Sequence, residues 1–115
     1  MILYGIIILV NKMKFEKEIF SIISYAGDAN RYVFDALDEI ENSNYEKAEK
    51  LLVEGRKSVN EAHQVQTSLL VNECNSDEES SVPLMMVHAQ DHLMNAILLL
   101  DLVEKLVSIF KKKEK

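Results

Sequence analysis

The side chains best equipped for chemistry lie close together: His88, Gln90, Asp91 and His92, with Asn95 about one turn beyond His92. On a helix that turns about 100° per residue, His92 sits about 40° to one side of His88 and Asp91 about 60° to the other. All three share a broad face, yet Asp91 and His92 point apart. Neutral imidazole is a competent nucleophile near neutral pH, so His88 can carry a phosphoryl group. The start of a helix, where Pro83 places this group, favours the negative charge of the product. Two other readings compete. His88 and His92 have the i, i+4 spacing of zinc ligands, but they are half a site and no Glu stands in the metalloprotease position between them. Alternatively, both rings are hydrogen-bonded members of a helical core. Spacing alone leaves the choice open.

The remaining reactive residues carry weaker signals. His63, in Ala62-His63-Gln64-Val65-Gln66-Thr67, reads as a structural or partly exposed histidine. Cys74 has no adjacent histidine or basic group to lower its pKa and reads as inert; as a lone cysteine it fits a reducing cytosol. Met85, Met86 and Met94 are core filler first and an adaptable docking rim second.

Three helices must position these groups. A heptad-like seam runs through Phe15, Ile19, Ile22, Ala26, Ala29, Val33, Ala36 and Ile40. Gly27 interrupts that helix, which predicts close approach by a neighbour there. Glu41-Asn42-Ser43-Asn44 reads as a turn with Ser43 or Asn44 as N-cap. A second seam, Ala48, Leu52, Gly55, Val59, Ala62, Gln66 and Leu69, is narrow and carries small residues, so its helix should sit close to its partners. Asn75 to Ser81 is a loop, and Pro83 opens the third helix.

That last helix has two adjacent seams. Met86, Ala89, Leu93, Ala96, Leu100, Val103, Val107 and Phe110 form one; Met85, His88, His92, Asn95, Leu99, Leu102, Leu106 and Ile109 form the other. A helix in a three-helix monomer needs one apolar stripe. The expectation is an all-α, up-down-up three-helix bundle that assembles through its third helix. Residues 13–115 form this domain; residues 1–12 read either as an extension outside it or as a strand or helix that packs somewhere.

Composition excludes some functions. With 115 residues there is room for one core, and a net charge of −6 offers no basic stripe for nucleic acid. Lys111, Lys112, Lys113 and Lys115 read as a solvated helix end that suits the macrodipole. The apolar run Ile2–Val10 is too short to span a bilayer and lacks the features of a signal peptide. No membrane insertion is expected.

The stretch Met85-Met86-Val87-His88-Ala89-Gln90-Asp91-His92-Leu93-Met94 resembles the signature around the active histidine of the lactose/cellobiose type of enzyme IIA. Ile23-Ser24-Tyr25-Ala26-Gly27-Asp28-Ala29, and Ala62-His63 with Gln66-Thr67, agree in order and spacing. The resemblance runs from about Phe15 to about Lys111. It implies that His88 takes a phosphoryl group from the phosphorylated histidine of HPr and passes it to a cysteine of enzyme IIB, supporting uptake of a β-linked disaccharide. It also implies a cytoplasmic homotrimer, a nine-helix assembly in which Asp91 from three chains holds one structural divalent cation, Mg²⁺ by ligand chemistry. His92 and Gln90 are then candidates for contacts to the phosphoryl group or for orienting His88. Asn30 departs from the family, which commonly has a basic residue there; Arg31 follows one place later. Residues around His88 look closer to cellobiose or chitobiose members, and Tyr25-Ala26-Gly27-Asp28 closer to lactose members. A non-catalytic oligomerisation or adaptor module is the alternative function.

Overall fold

The structure, a computed structural model, describes residues 2–75 and 82–114, with side chains described continuously from Glu16 within the first helix. It consists of α1 (Ile2–Glu41), α2 (Tyr45–Cys74) and α3 (Leu84–Lys113), each touching the other two. Lys111 near the end of α3 pairs with Glu49 near the start of α2 at 2.6 Å, and Tyr45 donates to Glu114 at 2.7 Å. The start of α3 therefore lies beside the end of α2, as an up-down-up order requires.

The apolar seams become the core. Ile19, Ile22, Ala26, Ala29, Val33, Ala36 and Ile40 of α1 are buried against Ala48, Leu52, Val59 and Ala62 of α2. From α3 come Ala89, Leu93, Ala96, Leu100, Val103 and Val107. The head of the first seam, Phe15, lies outside the described side chains. Phe110, at the far end of the third, is exposed rather than buried. Alanine recurs throughout, so the helix axes can approach closely. Leu100 is fully buried among all this, and Leu100→Ala is expected to cost about 3–5 kcal/mol in a chemical denaturation experiment.

The two interior glycines differ. A Cβ at Gly55 would meet Leu100 Cδ1 at 3.4 Å, Tyr32 Cβ at 3.5 Å and the Ala29 carbonyl oxygen at 3.6 Å. Small residues on α2 thus do mark close packing. Gly27 does not: a Cβ there meets nothing within 4 Å, because the residue faces outward from the chain. Among the described residues of the chain, the expected close neighbour is absent. Gly27→Ala is accordingly expected to raise the stability of the folded chain by about 1 kcal/mol, read as a higher denaturation midpoint at unchanged slope.

The corner between α1 and α2 closes by a Schellman arrangement. The Asn44 N–H donates to the Glu39 carbonyl at 2.8 Å and the Ser43 N–H to the Ile40 carbonyl at 2.9 Å. This needs a left-handed residue, and Ser43 supplies it with φ of 61°. Ser43 is therefore not the N-cap of α2. Asn44 is, but without a side-chain cap bond, because its amide donates to Glu39 at 2.9 Å. That bond, joined by Lys47, holds the Glu39 carboxyl below its ordinary pKa.

Between α2 and α3, Arg56 reaches Asp101 at 2.6 Å and Glu104 at 2.8 Å. Burial works against the Arg56 charge, but these hydrogen bonds and charges outweigh it and raise its pKa. The fork ties the outer edges of α2 and α3 together. In the last turn of α3, Lys111, Lys112 and Lys113 complement the helix dipole. Among the described residues, α1 begins at Ile2. Among the described residues, no helix is long and apolar enough to cross a membrane.

Candidate active site

Pro83 stands at the N-cap of α3, one position earlier than its expected place inside the first turn; its φ of −62° suits either position. The Met86 and Val87 amides already donate to the Pro83 carbonyl, so regular helix is established before His88. One turn separates His88 from His92, and helical side chains four apart meet on the surface. Here they meet through their ring tips: the two Nε2 atoms are 3.1 Å apart. The ring centroids lie 4.5 Å apart with planes at 83°, an edge-on arrangement. His88 is exposed and His92 half-buried. Neither ring is sealed in the core.

At such a contact one Nε2 must carry the proton and the other the free lone pair. If the proton is on His92, the single lone pair of His88 Nε2 accepts it, and turning the His92 ring aside frees that lone pair for a phosphorus atom. The hydrogen bond then has a ready second acceptor in a phosphoryl oxygen.

Gln90 goes elsewhere. It lies about 160° around α3 from the His88 side chain, facing α2. Its amide oxygen accepts from the Gln66 amide, a side chain only 6% exposed. Within one chain the structure pairs Gln90 with Gln66 and keeps it off the His88 face; among the described residues, the side chain hydrogen-bonded to His88 is that of His92. The buried position of Gln66 in the second seam was the available sign, since a buried amide needs a partner. His63 is exposed on α2 and makes no ring contact or hydrogen bond with the α3 histidines. Cys74 is free and exposed.

Asp91 is exposed too, with surroundings of a different kind. Leu84, Val87, Met94, Leu98, Leu102 and Ile109 all lie within about 60° of it around α3, opposite the core seam. Every one of them is exposed, Leu98 to 68%. This corrects the second seam read from the sequence. Leu99 and Leu106, assigned to it, are half-buried at the edge of the bundle. The open stripe lies one register over and is centred on Asp91, leaving the histidines on the border between bundle and stripe. Among the described residues of one chain, no three acidic, histidine or cysteine side chains cluster as a metal site.

The family described as the lactose/cellobiose-specific IIA subunit of the PTS system matches residues 17–111. This chain belongs to that family. The lactose-specific EIIA component of Staphylococcus epidermidis is 40% identical over 93 residues, covering 81% of this chain and 88% of the relative. That of Streptococcus mutans is 43% identical over 94 residues, with the same shares of both chains. The crystal structure of the cellobiose-specific enzyme IIA from Bacillus anthracis superposes with a TM-score of 0.79 at 32% identity, covering 86% of this chain and 90% of that one. The IIA(chitobiose) chain from the Escherichia coli complex with HPr gives 0.73 at 29% identity, covering 87% and 96%.

As a lactose/cellobiose-type IIA component, the chain is a phosphotransfer protein of a sugar uptake system. The match begins at residue 17, within α1, so it takes in both histidines, Asp91 and the whole described core. The Asn30–Arg31 departure is confined to one turn of α1: Arg31 pairs with Asp28 at 3.6 Å and lies 5.0 Å from the Tyr32 ring centre.

Proposed function

We propose that the chain is the phosphocarrier of a disaccharide phosphotransferase system and that His88 is the residue that carries the group. One observation supports this above the rest: His88 is exposed, with its Nε2 set 3.1 Å from the Nε2 of His92. A ring kept for packing would be buried; one kept for transfer needs an open nitrogen and a neighbour that orients it.

In the first step the lone pair of His88 Nε2 attacks the phosphorus of phosphohistidine on HPr. The phosphorus–nitrogen bond of the donor breaks, and the HPr imidazole leaves with the electron pair. In the second step a cysteine thiolate of enzyme IIB attacks the same phosphorus, and His88 Nε2 recovers its lone pair. His92 donates its Nε2–H to a phosphoryl oxygen while the group resides on His88. Phosphoryl transfer of this kind rests on positioning and charge stabilisation. HPr is assigned as donor because a structural neighbour of this chain is held in complex with it. The sugar is a β-linked disaccharide of the lactose or cellobiose/chitobiose type, and the site of action is the cytoplasm, where those partners work.

The apolar stripe on α3 supports a homotrimer. Packing three copies of α3 through Leu84, Val87, Met94, Leu98 and Leu102 would bury Asp91 three times over. Three carboxylates in one apolar interface need a cation, and hard oxygen donors fit Mg²⁺. Asp91 would hold it, and its part is to neutralise the interface, away from the histidine border.

The test is intact-mass measurement after incubation with phospho-HPr. One acid-labile phosphoryl group per chain is expected. Absence of any adduct from the folded protein would overturn the carrier role and leave an oligomerisation or adaptor module.

A further inference from the structure

We propose that His88 and His92 also form a two-nitrogen chelate for a borderline transition-metal ion such as Ni²⁺, Cu²⁺ or Zn²⁺, and that the ion excludes the phosphoryl group from His88. This site is separate from the Asp91 stripe. Its inhibitory part rests on the phosphocarrier reading; the binding part stands without it.

The geometry is the first argument. Metal–imidazole bonds are about 2.0–2.1 Å long, so nitrogens 3.1 Å apart subtend about 95–100° at a shared ion. That angle lies between the right angle of square-planar or octahedral coordination and the wider tetrahedral one. No backbone movement is needed, because both rings stand on one rigid helix, one turn apart. The ion takes the place of the proton that the two Nε2 atoms otherwise share. When both rings present lone pairs at Nε2, each keeps its proton on Nδ1, and charge and proton count balance by release of any extra proton to solvent.

Access and ligand type complete the case. His88 is exposed, so an ion enters without opening the bundle, and the remaining coordination positions are free for water. Imidazole nitrogen suits Ni²⁺, Cu²⁺ and Zn²⁺, whereas Mg²⁺ prefers oxygen. The two sites on α3 thus discriminate by chemistry: carboxylate oxygen at Asp91 for a hard cation, paired nitrogen at His88 and His92 for a borderline one. Occupancy of His88 Nε2 by metal and by phosphorus is mutually exclusive, since both use the same lone pair.

The probe is Ni²⁺, titrated calorimetrically into untagged, unphosphorylated protein kept in excess Mg²⁺ to fill any carboxylate site. We expect one Ni²⁺ per chain for the wild type, binding at least about tenfold weaker in His92→Gln, and unchanged binding in His63→Ala. Equal affinity in wild type and His92→Gln would overturn the chelate. In a second arm, phospho-HPr prepared beforehand is mixed with each protein with and without Ni²⁺, and the two rates are compared within each variant. Ni²⁺ should slow phosphorylation of the wild type and leave the His92→Gln rate unaltered at the same concentration. Wild type that binds Ni²⁺ yet is phosphorylated at full speed would overturn the exclusion. Protein that binds Ni²⁺ but takes no phosphoryl group even without it would overturn the carrier reading instead, and leave the chelate standing.

Discussion

His88→Ala is expected to abolish phosphoryl transfer from phospho-HPr, with the rate falling more than about 10⁴-fold, as on removal of a nucleophile elsewhere. Alanine at an exposed position on the second turn of α3 disturbs no core contact, so helical content and denaturation midpoint should stay near wild type. The loss would then be chemical rather than structural. His92→Gln tests the neighbour. A hydrogen bond to a charged group contributes about 1.5–3 kcal/mol, which corresponds to roughly 10–100-fold in rate. Quench-flow or rapid mass measurement separates the two cases. A phosphoryl adduct persisting in His88→Ala would move the acceptor elsewhere, and a His92→Gln rate equal to wild type would remove His92 from the transfer.

The second large effect concerns assembly. In one chain Leu98 is 68% exposed at the middle of the stripe, and its neighbours Val87, Met94 and Leu102 are exposed beside it. Burying each such side chain contributes about 1.5–3 kcal/mol. Leu98→Glu would instead bring like charges together in an apolar interface, and dissociation to monomers at micromolar concentration is the expected result by light scattering. Asp91→Leu should act in the opposite sense. A shared cation is then unnecessary, because an apolar side chain replaces a buried like-charge cluster. We expect wild type to be a trimer weakened by a chelator and Asp91→Leu to be a trimer indifferent to it. Wild type that is monomeric under these conditions would refute the role given to the stripe.

The two experiments also separate the parts of α3. Its inner seam holds the fold, its border carries the histidines, and its outer stripe is exposed in the single chain. Substitutions on the border should alter transfer without altering assembly, and those on the stripe should do so only as far as transfer depends on the neighbouring chain.

Much of this is legible in the amino-acid sequence. The spacing of Ile19, Ile22, Ala26, Ala29, Val33, Ala36 and Ile40 announced a helix buried along one side, and each is buried. Ala48, Leu52, Val59 and Ala62 behaved alike, as did Leu93, Leu100 and Val103, because a helical period converts directly into a face. The placement of His92 beside His88 followed from the same period. Gly27 misled, because a helix-weakening residue can mark close packing or simply face outward, and only the location of the other helices distinguishes them.

Sequence alone thus determined the number of helices, their inner faces and the nearness of the two histidines, since all of these depend on chain-local geometry repeated every few residues. Tertiary structure decided what lies around each face. It turned Gln90 toward Gln66, tucked Leu99 and Leu106 against the bundle edge, and left Asp91 among exposed leucines. Rotation of a helix within a bundle by a few tens of degrees changes which side chains remain open, and that rotation is set by how neighbouring helices pack, Arg56 with Asp101 and Glu104 among the contacts that hold it.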